Sequence, residues 1–134
     1  MMTDTPAPSA SGQRRILLVE DDDFISAVLE KRLREHYDVA LAKSAEAADA
    51  ALAAGPVDLI LLDIVMPDED GFSWLERIKA KDGPHQNIPV IILSNLDQRE
   101  DVERGLKLGA KEYLVKGYML PEEVVQKIET YLSD

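Results

Sequence analysis

Residues 57–71 read VDLILLDIVMPDEDG, an almost unbroken aliphatic run that ends in a carboxylate, Asp63, and passes into a turn containing Pro67 and Gly71. A run this apolar, without polar alternation, fits a strand covered on both faces, as in a parallel sheet. Beyond the turn, Phe72, Leu75 and Ile78 recur at the spacing of one helix face. The segment is a strand, a turn and a helix, with an acid where the strand runs out.

The same unit repeats on both sides. Upstream, RRILLVE predicts a first strand, and Ile25, Val28, Leu29 and Leu33 mark a helix that Asp22 or Asp23 would cap. YDVALA predicts a second strand, followed by an alanine-rich helix with Ser44 as its cap and Gly55-Pro56 as its stop. Downstream, IPVIILS is another buried strand, and Asp97 with Glu100 resembles a capping box opening a helix that runs to about Gly109. EYLVK predicts a fifth strand. Pro121 then starts a last helix with Val124, Val125, Ile128, Tyr131 and Leu132 on its apolar stripe. Trp74 lies off the Phe72-Leu75-Ile78 stripe, which predicts an exposed aromatic contact point. The first thirteen residues, MMTDTPAPSASGQ, lack apolar periodicity and read as a flexible tail preceding a domain over 14–134.

Five strand-helix units in series predict an α/β, doubly wound, five-stranded parallel sheet with right-handed crossovers; the flavodoxin-like (βα)5 fold of this class has the strand order 2-1-3-4-5. In such folds ligands bind beyond the carboxyl ends of the strands, where the strand order reverses, here between the first and third strands.

Composition narrows the functions. The 134 residues, 46% hydrophobic, suit one core. With 26 acidic against 15 basic residues and a net charge of -11, the chain would repel a phosphate backbone, so direct nucleic-acid binding is not expected. There is no cysteine, in keeping with a reducing cytoplasm. No stretch reaches the roughly 18 apolar residues of a membrane span, and the N-terminus lacks the order of a signal peptide, so no membrane association is expected.

The strand ends carry Glu20, Asp21 and Asp22 (first), Asp63 (third), Ser94 (fourth) and Lys116 (fifth). Two like charges at about 4 Å repel by roughly 4 kcal/mol at an effective dielectric near 20. Such crowding calls for a counterion. With oxygen donors only, the natural choice is a hard divalent cation, Mg²⁺, with Lys116 neutralising the remainder. A carboxylate beside a cation and an ammonium can accept a phosphoryl group, and Asp63, alone at the end of the central strand, is best placed to do so.

Four pieces in this order, ILLVEDD, LILLDIVMPDEDG, VIILS and YLVK, resemble the receiver domain of two-component response regulators, of the chemotaxis-regulator type, over residues 14–134. The resemblance implies that Asp63 is the phosphoacceptor for a histidine kinase, a phosphotransfer protein or a small phosphodonor. It implies Mg²⁺ held by Asp21, Asp63, the Val65 backbone carbonyl and, through water, Glu20. It further implies that Ser94 moves toward the phosphoryl oxygens, that Tyr113 turns inward behind it, and that the surface of the fourth helix, fifth strand and fifth helix is remodelled for a downstream protein or a phosphorylation-dependent homodimer. The sequence departs from the family pattern at Gly117, where a proline usually follows the lysine, and at Asn95, where alanine is more usual. Val65 and Leu96, two residues beyond the acceptor and the hydroxyl, are expected to shield an acyl phosphate from water.

Each residue also has a structural reading. Acids at 20–22 can serve a helix start, Lys116 can be a surface lysine, Ser94 a cap and Tyr113 half-buried core. His36 and His85 are too far apart in sequence to form a site. Rival functions are a non-phosphorylated pseudo-receiver that only binds partners and a Mg²⁺-dependent aspartyl-nucleophile phosphatase. The phosphatase would want an acid where Val65 stands. A flavin carrier would want a Ser/Thr/Gly loop where the first turn is acidic. The expectation is a signalling module that supports its own phosphorylation, not a turnover enzyme.

Overall fold

A computed structural model describes residues 13–132. The predicted tail therefore lies, apart from Gln13, outside the described residues. Five strands, β1 (Arg15–Val19), β2 (Asp38–Ala42), β3 (Leu59–Leu62), β4 (Val90–Ser94) and β5 (Glu112–Val115), form one parallel sheet in the order β2-β1-β3-β4-β5. They alternate with α1 (Asp23–Leu33), α2 (Ala45–Ala54), α3 (Gly71–Ile78), α4 (Arg99–Lys107) and α5 (Pro121–Leu132). A single 3-10 turn over Lys116–Tyr118 joins β5 to α5.

The central strands bury both faces, and their two-residue period divides the core. Leu17, Val19, Ile60, Leu62 and Ile92 face Ala48 and Leu52 of α2 and Phe72, Leu75 and Ile78 of α3. Ile16, Leu18, Leu59, Leu61 and Ile91 face Leu29 and Leu33 of α1 and Val124, Ile128 and Leu132 of α5. This explains the unbroken aliphatic run in β3. Alternate residues feed two different layers, and neither layer meets water.

Local chemistry sets the helix starts. Asp22 caps α1 by accepting the Ile25 N–H at 2.9 Å, and Ser44 caps α2 by accepting that of Ala47 at 3.0 Å. Gly55 ends α2 in an extended conformation, φ 177°, which any residue adopts, so Pro56 is the residue there that cannot continue a helix. Glu123 accepts the Leu120 N–H at 2.8 Å, a side chain reaching back over the start of α5.

Two expectations are corrected. Trp74 is fully buried, because the alanine-rich α2 leaves room that its ring fills, and the indole N–H donates to Asp49 at 2.9 Å. Asp97 does not cap α4: the capping position is Gln98, without a side-chain hydrogen bond, and the Asp97 carboxylate instead accepts from the Gln98 side-chain amide at 3.3 Å.

Candidate functional site

The site forms where β1 and β3 run out side by side. The ladders continue one residue past each strand: the Glu20 N–H donates to the Ala42 carbonyl of β2 and the Asp63 N–H to the Val19 carbonyl of β1, both at 2.9 Å, and Val19 pairs with Leu62. The two acids therefore leave adjacent strands at one level. Carboxylate oxygens of Glu20, Asp21 and Asp63 lie within 4.8 Å of one another. Glu20 and Asp63 are buried, whereas Asp21 is exposed.

Lys116, the first residue past β5, closes the group. Its Nζ lies 2.7 Å from Glu20 Oε1 and 2.8 Å from Asp63 Oδ2. The remaining carboxylate oxygens are also engaged: Asp63 Oδ1 accepts the Val65 N–H and Glu20 Oε2 the Asp22 N–H, each at 3.1 Å. Burial, aided by the charge of Asp63 and opposed by Lys116, pushes the Glu20 carboxyl up to about 7. Burial lowers Lys116, but its hydrogen bonds to Asp63 and Glu20 outweigh it, and the ammonium is held above its usual range. One ammonium is shared between two buried acids, and a third acid stands at the mouth. An all-oxygen set of this kind fits a hard divalent cation.

Ser94 ends β4, fully buried, one register step past the level of Asp63, with its hydroxyl accepting the Leu96 N–H at 3.3 Å. Tyr113 is half-buried on β5, and its hydroxyl donates to the Leu96 carbonyl at 2.7 Å. Burial and then the charge of Asp101 push its phenol up. The ring fits under α4 because position 105 is glycine: a Cβ there would stand 2.6 Å from Ile92 Cδ1 and 3.0 Å from Tyr113 Cδ2. Val65 is 56% exposed and Leu96 half-buried. There is no cis peptide among the described residues, so Lys116-Gly117 is trans. His36 is exposed, His85 half-exposed, and neither joins the acidic group.

Sequence reasoning missed the acids of the loop between β3 and α3. Asp68 accepts the Ala45 and Glu46 N–H groups at the start of α2, at 2.9 and 3.0 Å. Glu69 holds Arg77 of α3 through two bonds, at 2.8 and 3.1 Å, and Arg77 also reaches Asp49 of α2 at 3.1 Å. Asp70 accepts the Phe72 N–H at 3.1 Å and lies 3.8 Å from Arg104 of α4, whose guanidinium covers the Phe72 ring at 4.5 Å. The run DED was visible, but which helix each acid serves depends on tertiary placement.

The model of the response regulator receiver domain matches residues 16–129, and the chain belongs to that family. Over 123 residues it is 36% identical to a probable cyclic di-GMP phosphodiesterase of Vibrio cholerae, covering 91% of this chain and 27% of that protein. Over 128 residues it is 41% identical to a gliding motility regulatory protein of Myxococcus xanthus, covering 93% of this chain and 16% of that protein. The chain thus spans well under half the length of either relative. Among solved structures, the Mn²⁺-bound form of response regulator Rcp1 is similar with a TM-score of 0.77 at 29% identity, over 90% of this chain and 96% of that one. Receiver domains of two-component systems act as phosphorylation-dependent switches, and the five-stranded order seen here is theirs. No helix among the described residues is long and apolar enough to cross a membrane.

Proposed function

We propose that this chain is a cytoplasmic switch in which Asp63 accepts a phosphoryl group from a histidine kinase, a phosphotransfer protein or a small phosphodonor, with the receiver unit spanning residues 14–134. The observation that carries this reading is the meeting of the Glu20, Asp21 and Asp63 carboxylates within 4.8 Å, with Lys116 bridging two of them at 2.7 and 2.8 Å.

In the reaction an Asp63 oxygen attacks phosphorus and forms the new O–P bond. The bond from phosphorus to the donor's imidazole nitrogen, or to a small donor's oxygen, breaks, and its electron pair leaves with that atom, which takes up a proton. Asp21, Asp63, the Val65 carbonyl and, through water, Glu20 would hold Mg²⁺, whose charge would offset that gathering on the phosphoryl oxygens. Lys116, already within hydrogen-bond distance of Asp63, supplies a second positive charge to the same oxygens. Ser94 donates its hydroxyl to them, releasing the Leu96 N–H. Tyr113 then follows, exchanging its bond to the Leu96 carbonyl for a position behind Ser94. That exchange alters the α4–β5–α5 surface, which meets a downstream protein or a second copy of the chain.

Treatment with a small phosphodonor, with and without Mg²⁺, tests the reading through intact masses of wild type and Asp63→Asn. The expected result is one phosphoryl group on the wild type, only with metal, and none on the variant. Incorporation by Asp63→Asn, or none by the wild type, would sink it.

A further inference from the structure

The segment between the acceptor and α3 is pinned at two points. At one, the Gly71 N–H donates to the Ile64 carbonyl at 2.9 Å, and a Cβ on Gly71 would come within 2.5 Å of the Ile64 Cα and carbonyl oxygen. At the other, Asp68 is bound through both carboxylate oxygens to the first two amides of α2. Between these points run only Val65, Met66 and Pro67. Met66 packs on the core, and the ring of Pro67 limits its own φ. The Val65 N–H is already committed to Asp63.

Asp68 is not needed merely to start α2. Ser44 already caps that helix by binding the Ala47 amide, and the Ala48 amide returns to the Ser44 carbonyl. Asp68 takes the two amides that remain, those of Ala45 and Glu46, from a loop more than twenty residues away in sequence. A carboxylate at this end of a helix is favoured by the helix dipole. The two backbone bonds hold it below the usual carboxylate range although it is exposed.

We infer that Asp68 is a positioning residue for the phosphoryl-accepting site: by docking the loop onto the start of α2, it sets where the Val65 carbonyl and the Asp63 carboxylate stand for a divalent cation. The inference rests on the Mg²⁺ reading of the site. Its energetic consequence is reciprocal, since a coupling that lets α2 support the cation must let the cation support α2.

The test measures Mg²⁺ affinity by calorimetry, with thermal stability in chelator, for wild type, Asp68→Ala, Asp68→Asn and Ser44→Ala. Ser44→Ala removes a cap from the same helix without touching the loop. Asp68→Ala is expected to bind Mg²⁺ about tenfold more weakly, the low end of what a lost outer support costs a metal site. Asp68→Asn, which keeps one acceptor oxygen in place, should fall between it and wild type. Ser44→Ala should lose thermal stability but keep its affinity. In wild type, Mg²⁺ should slow hydrogen exchange at the Ala45 and Glu46 amides, and this protection should vanish in Asp68→Ala, or in Asp68→Asn if the alanine variant does not fold. Affinity unchanged in both Asp68 variants, with only the stability loss seen in Ser44→Ala, would reduce Asp68 to a helix cap and overturn the inference alone. A wild type that binds no Mg²⁺ would overturn it together with the proposed function.

Discussion

The two loops that wall the acidic site are built in opposite ways. In residues 63–71, which carry Asp63, the acids at 68, 69 and 70 reach α2, α3 and α4 respectively, and Gly71 sits hard against Ile64. In residues 116–120, which carry Lys116, the ends are held by the lysine's two ion pairs and by the Leu120 N–H on Glu123. Between them Met119 packs on the core, while Gly117 and Tyr118 are open. Nothing stands within 4 Å of a Cβ on Gly117, and Tyr118 is 74% and Leu120 64% exposed. The carboxylate side is cross-linked to three helices, whereas the ammonium side rests on a short turn from which Tyr118 and Leu120 face solvent. Geometry for chemistry is set on one wall. The other wall presents apolar surface, continued by exposed Phe24 on α1, to solvent.

The largest expected effect breaks the link between the walls. Lys116→Met would leave Glu20 and Asp63 buried without their shared cation, and breaking a buried pair costs about 3–5 kcal/mol, some of it returned when Glu20 takes a proton. Urea unfolding in chelator should show the loss, and Mg²⁺ should restore much of it. Unaltered stability in chelator would mean that the ammonium is no structural counterion.

A smaller effect separates the loops by their glycines. Gly71→Ala forces a Cβ into the Ile64 backbone and should cost about 1–3 kcal/mol, as overpacking does, while Gly117→Ala should stay within about 0.5 kcal/mol. Equal losses in denaturant melts would mean that the two loops are equally constrained. The subtlest test concerns water. Making Val65 and Leu96 polar should shorten the acyl phosphate lifetime, followed by loss of the phosphorylated mass with time, if the aliphatic side chains two residues beyond Asp63 and Ser94 hinder an attacking water. A lifetime that stays the same would leave them as ordinary surface.

Much of this is legible in the sequence. Alternating β and α units, aliphatic strands and single acids at strand ends are local signals, and Asp22 and Ser44 cap helices they immediately precede. Trp74 was misread because an off-stripe position on one helix becomes interior when a neighbour is built from alanine. Asp97 was misread because an acid three residues before a glutamate resembles a cap whatever the loop's direction. Asp68, Glu69 and Asp70 form one charged run in the sequence and three separate attachments in space.

Period, hydropathy and strand-end chemistry are properties of neighbours along the chain, so the sequence was enough to specify the five strand-helix units and the acids that end the strands. Which ammonium those acids share, which helix each loop carboxylate holds and whether an aromatic faces water depend on groups brought together from distant parts of the chain. Hydrogen bonds and ion pairs act over a few ångströms, so such choices are made only once packing has set those distances.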